Sequence, residues 1–305
     1  MGSSAEGQHR RRTLGLLCAL AGAVGFAFKS VLIKAAYRHG VDATTLLALR
    51  MLYSLPLFLL MGFAAQRSQP LQPTWRVAGE FLLLGFLGYY AASYLDFLGL
   101  ESISAALERM ILFVYPTLVV LITALRRRER IASHVALALL LCYAGIALAV
   151  GHDLRGGDAG AVLRGGALVF GSALCFALYL VRVGPTIARF GSMHVTAWAT
   201  TAATLCVLAQ FAVLRPLQSL AQPWPVHGLS LAMAVFSTVL PIWLVVEAIR
   251  HLGAGPTAII GSLGPVLTLL FAWALLGEPL GALQLAGAGL VIAGVWLVGR
   301  ARTGS

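Results

Sequence analysis

Two stretches of this chain, 102–151 and 251–300, read as copies of one segment set 149 residues apart. In one ungapped register Pro116 pairs with Pro265, Glu129 with Glu278 and Gly145 with Gly294. The apolar positions between them follow: Leu118 with Leu267, Leu121 with Leu270, Leu141 with Leu290, Ala144 with Ala293. Around each copy lie five apolar runs, each of the length that crosses a bilayer as a helix. Five crossings is an odd number, so the second copy must enter the membrane from the opposite side. An inverted-topology repeat is the architecture of alternating-access carriers.

Composition supports the membrane reading. The 305 residues are 59% apolar and only 11% charged, against about 25% charged in a soluble domain. Open sheets cannot span lipid, and a β-barrel would show alternating segments of about ten residues. The runs here are continuous, which predicts an all-α integral membrane protein. Ten transmembrane helices are expected at about 14–36, 43–63, 77–99, 103–125, 131–151, 166–186, 194–214, 228–249, 254–276 and 280–299. They fall into two inverted five-helix repeats, 14–151 and 166–300, separated by the turn-rich link 152–165. The first apolar stretch continues to about Ala36, too long for a signal peptide, and is read as a retained helix.

The net charge of +11 does not point to nucleic acid, because the basic residues flank apolar spans. With a cytoplasmic N-terminus, twelve arginines of the loops and ends fall inside (10, 11, 12, 67, 76, 126, 127, 128, 130, 189, 300 and 302) and four outside (38, 155, 164 and 215). This bias places both termini in the cytoplasm of a cell with the chain in its inner, or plasma, membrane. The matched loops show the inversion: RRRER (126–130) is basic, while its counterpart LGEPL (276–280) carries no basic residue. Cys18, Cys142, Cys175 and Cys206 each lie inside an apolar span without a CxxC pair, and read as small packing residues. No metal framework or cofactor motif is present in the sequence, and no Walker, HExxH or GxSxG pattern.

The second half carries a recognisable run: Gly253-Ala254, then Pro265, then Gly277-Glu278-Pro279, then Gly287 and Gly294. It resembles the EamA-type domain of the drug/metabolite transporter superfamily. The first half resembles the same domain through Pro116, Glu129 and Gly145, with Lys34 and Arg50 in its first two helices and RER in place of GEP. The resemblance covers about 14–300. It implies ten helices, a central pocket between inverted repeats walled by spans 1, 3, 4, 6, 8 and 9, and export or exchange of a small metabolite.

Ionisable groups inside a membrane cost about 2.5–3.5 kcal/mol each on insertion scales, so they mark cavities or pairs. Those at depth are Lys29, Arg50, Asp96, Glu108, Arg109, Arg182, Glu247 and Arg250. Lys29 is too deep in its span to snorkel and is a candidate cavity residue, with a structural pair to a carboxylate as the alternative. Glu108 and its neighbour Arg109 diverge by about 100° on a helix and need separate partners: Lys29 or Arg50 for Glu108, Asp96 for Arg109. Such pairs either hold helices together or break when substrate or a proton binds. Glu247 and Arg250 share a face and are expected to pair with each other.

Tyr89, Tyr90, Tyr94, Tyr179 and Trp243 lie well inside spans and are candidate walls for an amphipathic substrate, with helix contacts as the alternative. Pro116, Pro241 and Pro265 interrupt the backbone ladder and suit hinges or packing kinks. Glu129 and Glu278 open the helices that follow and read as structural caps. The small pairs Gly145/Ala149 and Gly289/Ala293 permit close helix contact, either between the repeats or at a dimer face.

These readings converge on a secondary transporter that moves a small polar or amphipathic metabolite, amino-acid-like or drug-like, by alternating access. Lys29, Glu108, Tyr90, Tyr94, Tyr179 and Trp243 are its expected substrate-binding residues, and Glu108 is the first candidate for proton coupling. Its partners are the lipid bilayer and the small-molecule substrate. A channel, which predicts a continuous polar stripe, and an intramembrane enzyme, which predicts a fixed nucleophile and base, are the other classes.

Overall fold

Among the described residues the apolar runs are helical. A computed structural model describes residues 2–72, 74–128, 133–155, 158–252, 257, 260–261 and 263–301, and no strand occurs among them. The helices are α1 (Gly2–Tyr37), α2 (Ala43–Ser68), α3 (Trp75–Leu100) and α4 (Ala105–Arg126), α5 (Ser133–Asp153), α6 (Ala159–Phe190), α7 (Ser192–Leu214), α8 (Trp224–Leu252) and α9 (Gly264–Leu276), and α10 (Ala282–Ala301). Eight are long and apolar enough to cross a membrane; α9 and α10 are shorter apolar helices over their described residues. Glu129, Gly253, Ala254 and the first part of the ninth expected span fall outside the described residues.

Side-chain caps set several starts. Asp42 accepts from the amides of Thr44 and Thr45 at the head of α2. Ser104 accepts from Leu107 at the head of α4. Asp158 accepts from Gly160 and Ala161, so α6 begins seven residues before the apolar run does, inside what its glycines had marked as a link.

The repeat reappears as paired geometry. A π-turn interrupts α3 at Phe86–Ala91 and α8 at Val235–Val239, again 149 residues apart. In α4 the helix breaks at Phe113–Val114 and resumes with Pro116 in its first turn; before α9 the same device is built from Leu263 and Pro265. Val114 (φ −76, ψ −14) and Leu263 (φ −70, ψ −13) are nearly superimposable. A proline in a first turn has no lost amide bond to make good, so these prolines start helical segments rather than bend continuous ones. Pro241 follows the π-turn of α8 directly.

Helix packing obeys a pseudo-twofold that exchanges α1–α5 with α6–α10. α1 packs on α8 as α6 packs on α3; α1 meets α9 as α6 meets α4; α2 meets α8 as α7 meets α3. The self-related pairs α5–α10 and α2–α7 lie across the axis. The α5–α10 seam is closest: a Cβ on Gly145 would lie 2.5 Å from the Gly287 carbonyl, and one on Gly294 2.7 Å from that of Ala138. These two contacts are each other's mates in the 149-residue register. The seam therefore uses Gly287 and Gly294, two turns apart on one face. Gly289 faces open space.

The bundle has two ends. One carries Gly2 and Ala301; the other, here called the capped end, carries the links 38–42, 101–104, 215–223 and 277–281, with the end of α5 at Asp153 and the start of α6 at Ala159.

Candidate functional site

Three ionisable side chains from three helices of the first repeat meet inside the bundle: Lys29 of α1, Asp96 of α3 and Glu108 of α4. Lys29 Nζ donates to Asp96 Oδ2 at 2.6 Å and stands 3.6 Å from Glu108 Oε1. Ser30 Oγ, one residue on, donates to Glu108 Oε2 at 2.5 Å. Asp96 is 1% and Glu108 0% exposed, while the Lys29 side chain keeps 16% of its surface open. The Ser104 cap fixes where α4 starts, which sets Glu108 in the first turn, where the helix dipole favours a carboxylate.

The cluster is incompletely satisfied. Asp96 Oδ1 and Glu108 Oε1 are buried and have no hydrogen-bond partner among the described residues. One ammonium and one hydroxyl serve two carboxyl groups, and an additional donor (a proton or a ligand N–H) would complete the set. A buried polar group left without its partner costs about 1–3 kcal/mol. The arrangement can therefore take up or release such a donor.

Sequence reasoning offered Asp96 to Arg109. The structure gives it to Lys29 instead. Arg109 turns toward α9, where its guanidinium lies against Gly264 and its Nε lacks a partner among the described residues. Arg50 is buried, donates from Nε and Nη2 to Thr238 Oγ1 at 3.2 and 3.1 Å, and rests over the Phe97 ring at 5.5 Å. Thr238 belongs to the α8 π-turn and donates in turn to the Met233 carbonyl at 2.9 Å. Glu247 pairs with Arg250 at 2.9 Å and His251 at 3.1 Å. Arg182 is exposed.

The aromatic residues divide into two groups. Tyr179 is buried, bonds Tyr89 hydroxyl to hydroxyl at 3.2 Å and stacks on Phe176, which meets Tyr115 edge-on. Tyr90 and Tyr94 stack on one another, 6.3 Å apart and 2° from parallel, against the core around α2. Tyr89 with Tyr179, and Tyr90 with Tyr94, thus make two separate pairs. Trp243 is brought to neither group. Pro241 and Val245 pack on Gly25 and Gly22 of α1, and Trp243, midway between them, points away and is 59% exposed.

Glu278 is a cap, but not of the helix it precedes. Both its carboxylate oxygens accept from the Ala105 amide at 3.2 Å, at the head of α4. Burial pushes its carboxyl above the usual range, against the opposing pull of the Ala105 amide and Lys34.

The cluster has no twin in the second repeat. For α1 and α6 the register is 150, fixed by Ser172 Oγ bonding the Ala92 carbonyl where Gly22 sits on that of Pro241. Lys29 then corresponds to Tyr179, Asp96 to Val245 and Glu108 to Thr257. Sequence signals existed for Asp96 and Ser30: a carboxylate within an apolar run, and a hydroxyl beside the deep lysine.

Comparison with known proteins agrees with this architecture. The model of the EamA-like transporter family matches twice, over residues 13–151 and 163–300. The chain belongs to the EamA-like transporter family. It is a multi-pass membrane protein of a transporter family and not an enzyme. The transporter is 31% identical over 300 residues, 95% of its length and 94% of the other's, to the uncharacterized transporter YcbK of Bacillus subtilis (strain 168). It is 28% identical over 201 residues, 66% of its length and 64% of the other's, to the threonine/homoserine exporter RhtA of Escherichia coli (strain K12). A solved structure shares its fold, with TM-score 0.62 at 18% identity over 93% of this chain and 95% of that one.

Proposed function

We propose that this transporter is a secondary carrier that exports a small polar or amphipathic metabolite by alternating access. The two repeats, taken as 14–151 and 166–300, rock about their shared axis in the plasma membrane, with both termini in the cytoplasm. The observation that carries the site is the Lys29–Asp96–Glu108 cluster, buried on three helices with two acceptor oxygens unfilled. A substrate ammonium or hydroxyl supplies the missing donors, and Glu108 is the group that exchanges a proton. Tyr179 with Tyr89, and Tyr90 with Tyr94, wall the path for the apolar part of the substrate. The matched breaks at Pro116 and Pro265, with Pro241 beside a π-turn, serve as hinges; Glu129 and Glu278 are structural. An amino-acid-like substrate is favoured by the likeness to a protein named as a threonine/homoserine exporter.

The test is counterflow of threonine and homoserine in proteoliposomes, with native protein, Lys29→Ala and Glu108→Gln, all checked for folding. Native protein accumulates labelled substrate and Lys29→Ala does not. A pH gradient drives the native protein and fails to drive Glu108→Gln. Full counterflow in Lys29→Ala removes the lysine from the site, and an equal response to the gradient in both removes Glu108 from coupling.

A further inference from the structure

The polar residues at the capped end are not used by the site above. Arg38, just past α1, donates from Nη2 to the Leu276 carbonyl at the end of α9. Glu278, two residues on, accepts from the Ala105 amide of α4. Between these links lies a cleft of about 380 Å³ lined by Lys34, Tyr37, Arg38, Glu101, Leu276 and Glu278. Leu276 closes a π-turn and is followed by Gly277 at φ +70, which leaves its carbonyl without a helical successor and free to accept. In both links the first repeat donates and the second accepts, one through the Arg38 side chain and the other through the Glu278 side chain.

We propose that Arg38 and Glu278 form a latch that holds the two repeats together at the capped end and biases the resting protein toward the state closed there. The inference rests on the carrier reading for its consequence, since a closed end matters only if the ends open in turn. The bias follows from the sequence. In an inverted repeat the opposite state is reached when each half takes up the other's conformation, so the place of Arg38 passes to its counterpart on α6. In the 150-residue register that counterpart is Ala188, and the counterpart of Lys34 is Gly184. Neither has a side-chain donor. At these two positions the guanidinium bond of the capped end therefore has no counterpart, and hydrogen bonds to charged groups are among the stronger ones.

Hydrogen–deuterium exchange of the full chain in lipid nanodiscs tests the latch. The readout is the peptide around 103–108, whose Ala105 amide is held by Glu278 and is not touched by Arg38. Arg38→Ala writes the second repeat's residue into the first, and should speed exchange there by about tenfold, the scale of one charge-assisted bond. Arg38→Gln, less disruptive to folding, should show the same direction. Unchanged exchange in both variants overturns the latch and leaves the carrier reading intact. Faster exchange without transport of any metabolite by the native protein sinks the carrier reading and leaves the latch as a structural tie.

Discussion

Removal of the Lys29 ammonium should be the most damaging single change inside the bundle, and the damage should be reversible by a second change. Lys29→Met keeps most of the side-chain volume and deletes the charge. It leaves the Asp96 and Glu108 carboxyl groups, 1% and 0% exposed, without the cation that stood 2.6 and 3.6 Å away. At an effective dielectric near 20, two unit charges about 4 Å apart attract by about 4 kcal/mol before desolvation. Breaking one side of a buried pair typically costs about 3–5 kcal/mol, because the remaining charge is uncompensated. Removing the partner as well, in Lys29→Met with Asp96→Asn, returns the cluster to its native net charge and should recover part of that loss, Glu108 alone remaining without its cation. Equilibrium unfolding in mild detergent of the four corners of this double-mutant cycle measures the coupling. A loss below about 1 kcal/mol for Lys29→Met, or strict additivity of the two changes, refutes the argument that the cluster is an ion pair held out of water.

Other outcomes can be checked separately. Gly145→Val should destabilise by about 1–3 kcal/mol, because its Cβ alone would lie 2.5 Å from the Gly287 carbonyl; Gly289→Val, in open space, should melt like the native protein. Glu278 is raised above its ordinary value of 4.5 by burial, so its contribution to stability is complete below that value and is lost as pH rises through the folded value. The melting temperature of the native protein should fall relative to that of Glu278→Gln as the medium is taken from acid to neutral, and parallel curves would show no linkage. Asp42→Ala removes the acceptor that caps α2 and should cost about 1 kcal/mol in chemical unfolding. Trp243→Ala should leave counterflow unchanged, since its ring faces away from α1.

Where the sequence reading and the structure part, the reason is direction. Hydropathy located the helices, but their azimuths come from packing. Tyr90, Tyr94 and Tyr179 all sit at depth, yet the α3 turn that holds Tyr89 and Tyr90 is a π-turn, and it is Tyr89 that meets Tyr179. Glu278 was legible as a cap from its place before a helix. Which helix it caps was not, because α4 is 173 residues away in the chain and adjacent only in space.

The amino-acid sequence by itself determined that the chain is an all-α membrane bundle built from two copies of one unit. Apolar length and repeat spacing are local, additive properties, and the 149-residue register returned in the π-turns, the proline breaks and the glycine seam. Only the tertiary structure decided that Asp96 belongs to Lys29, that Ser30 completes Glu108, and that Arg109 turns to the other side. Charges buried in lipid are fixed by whichever opposite group the packed helices bring within a few ångströms, and no one-dimensional pattern encodes that choice.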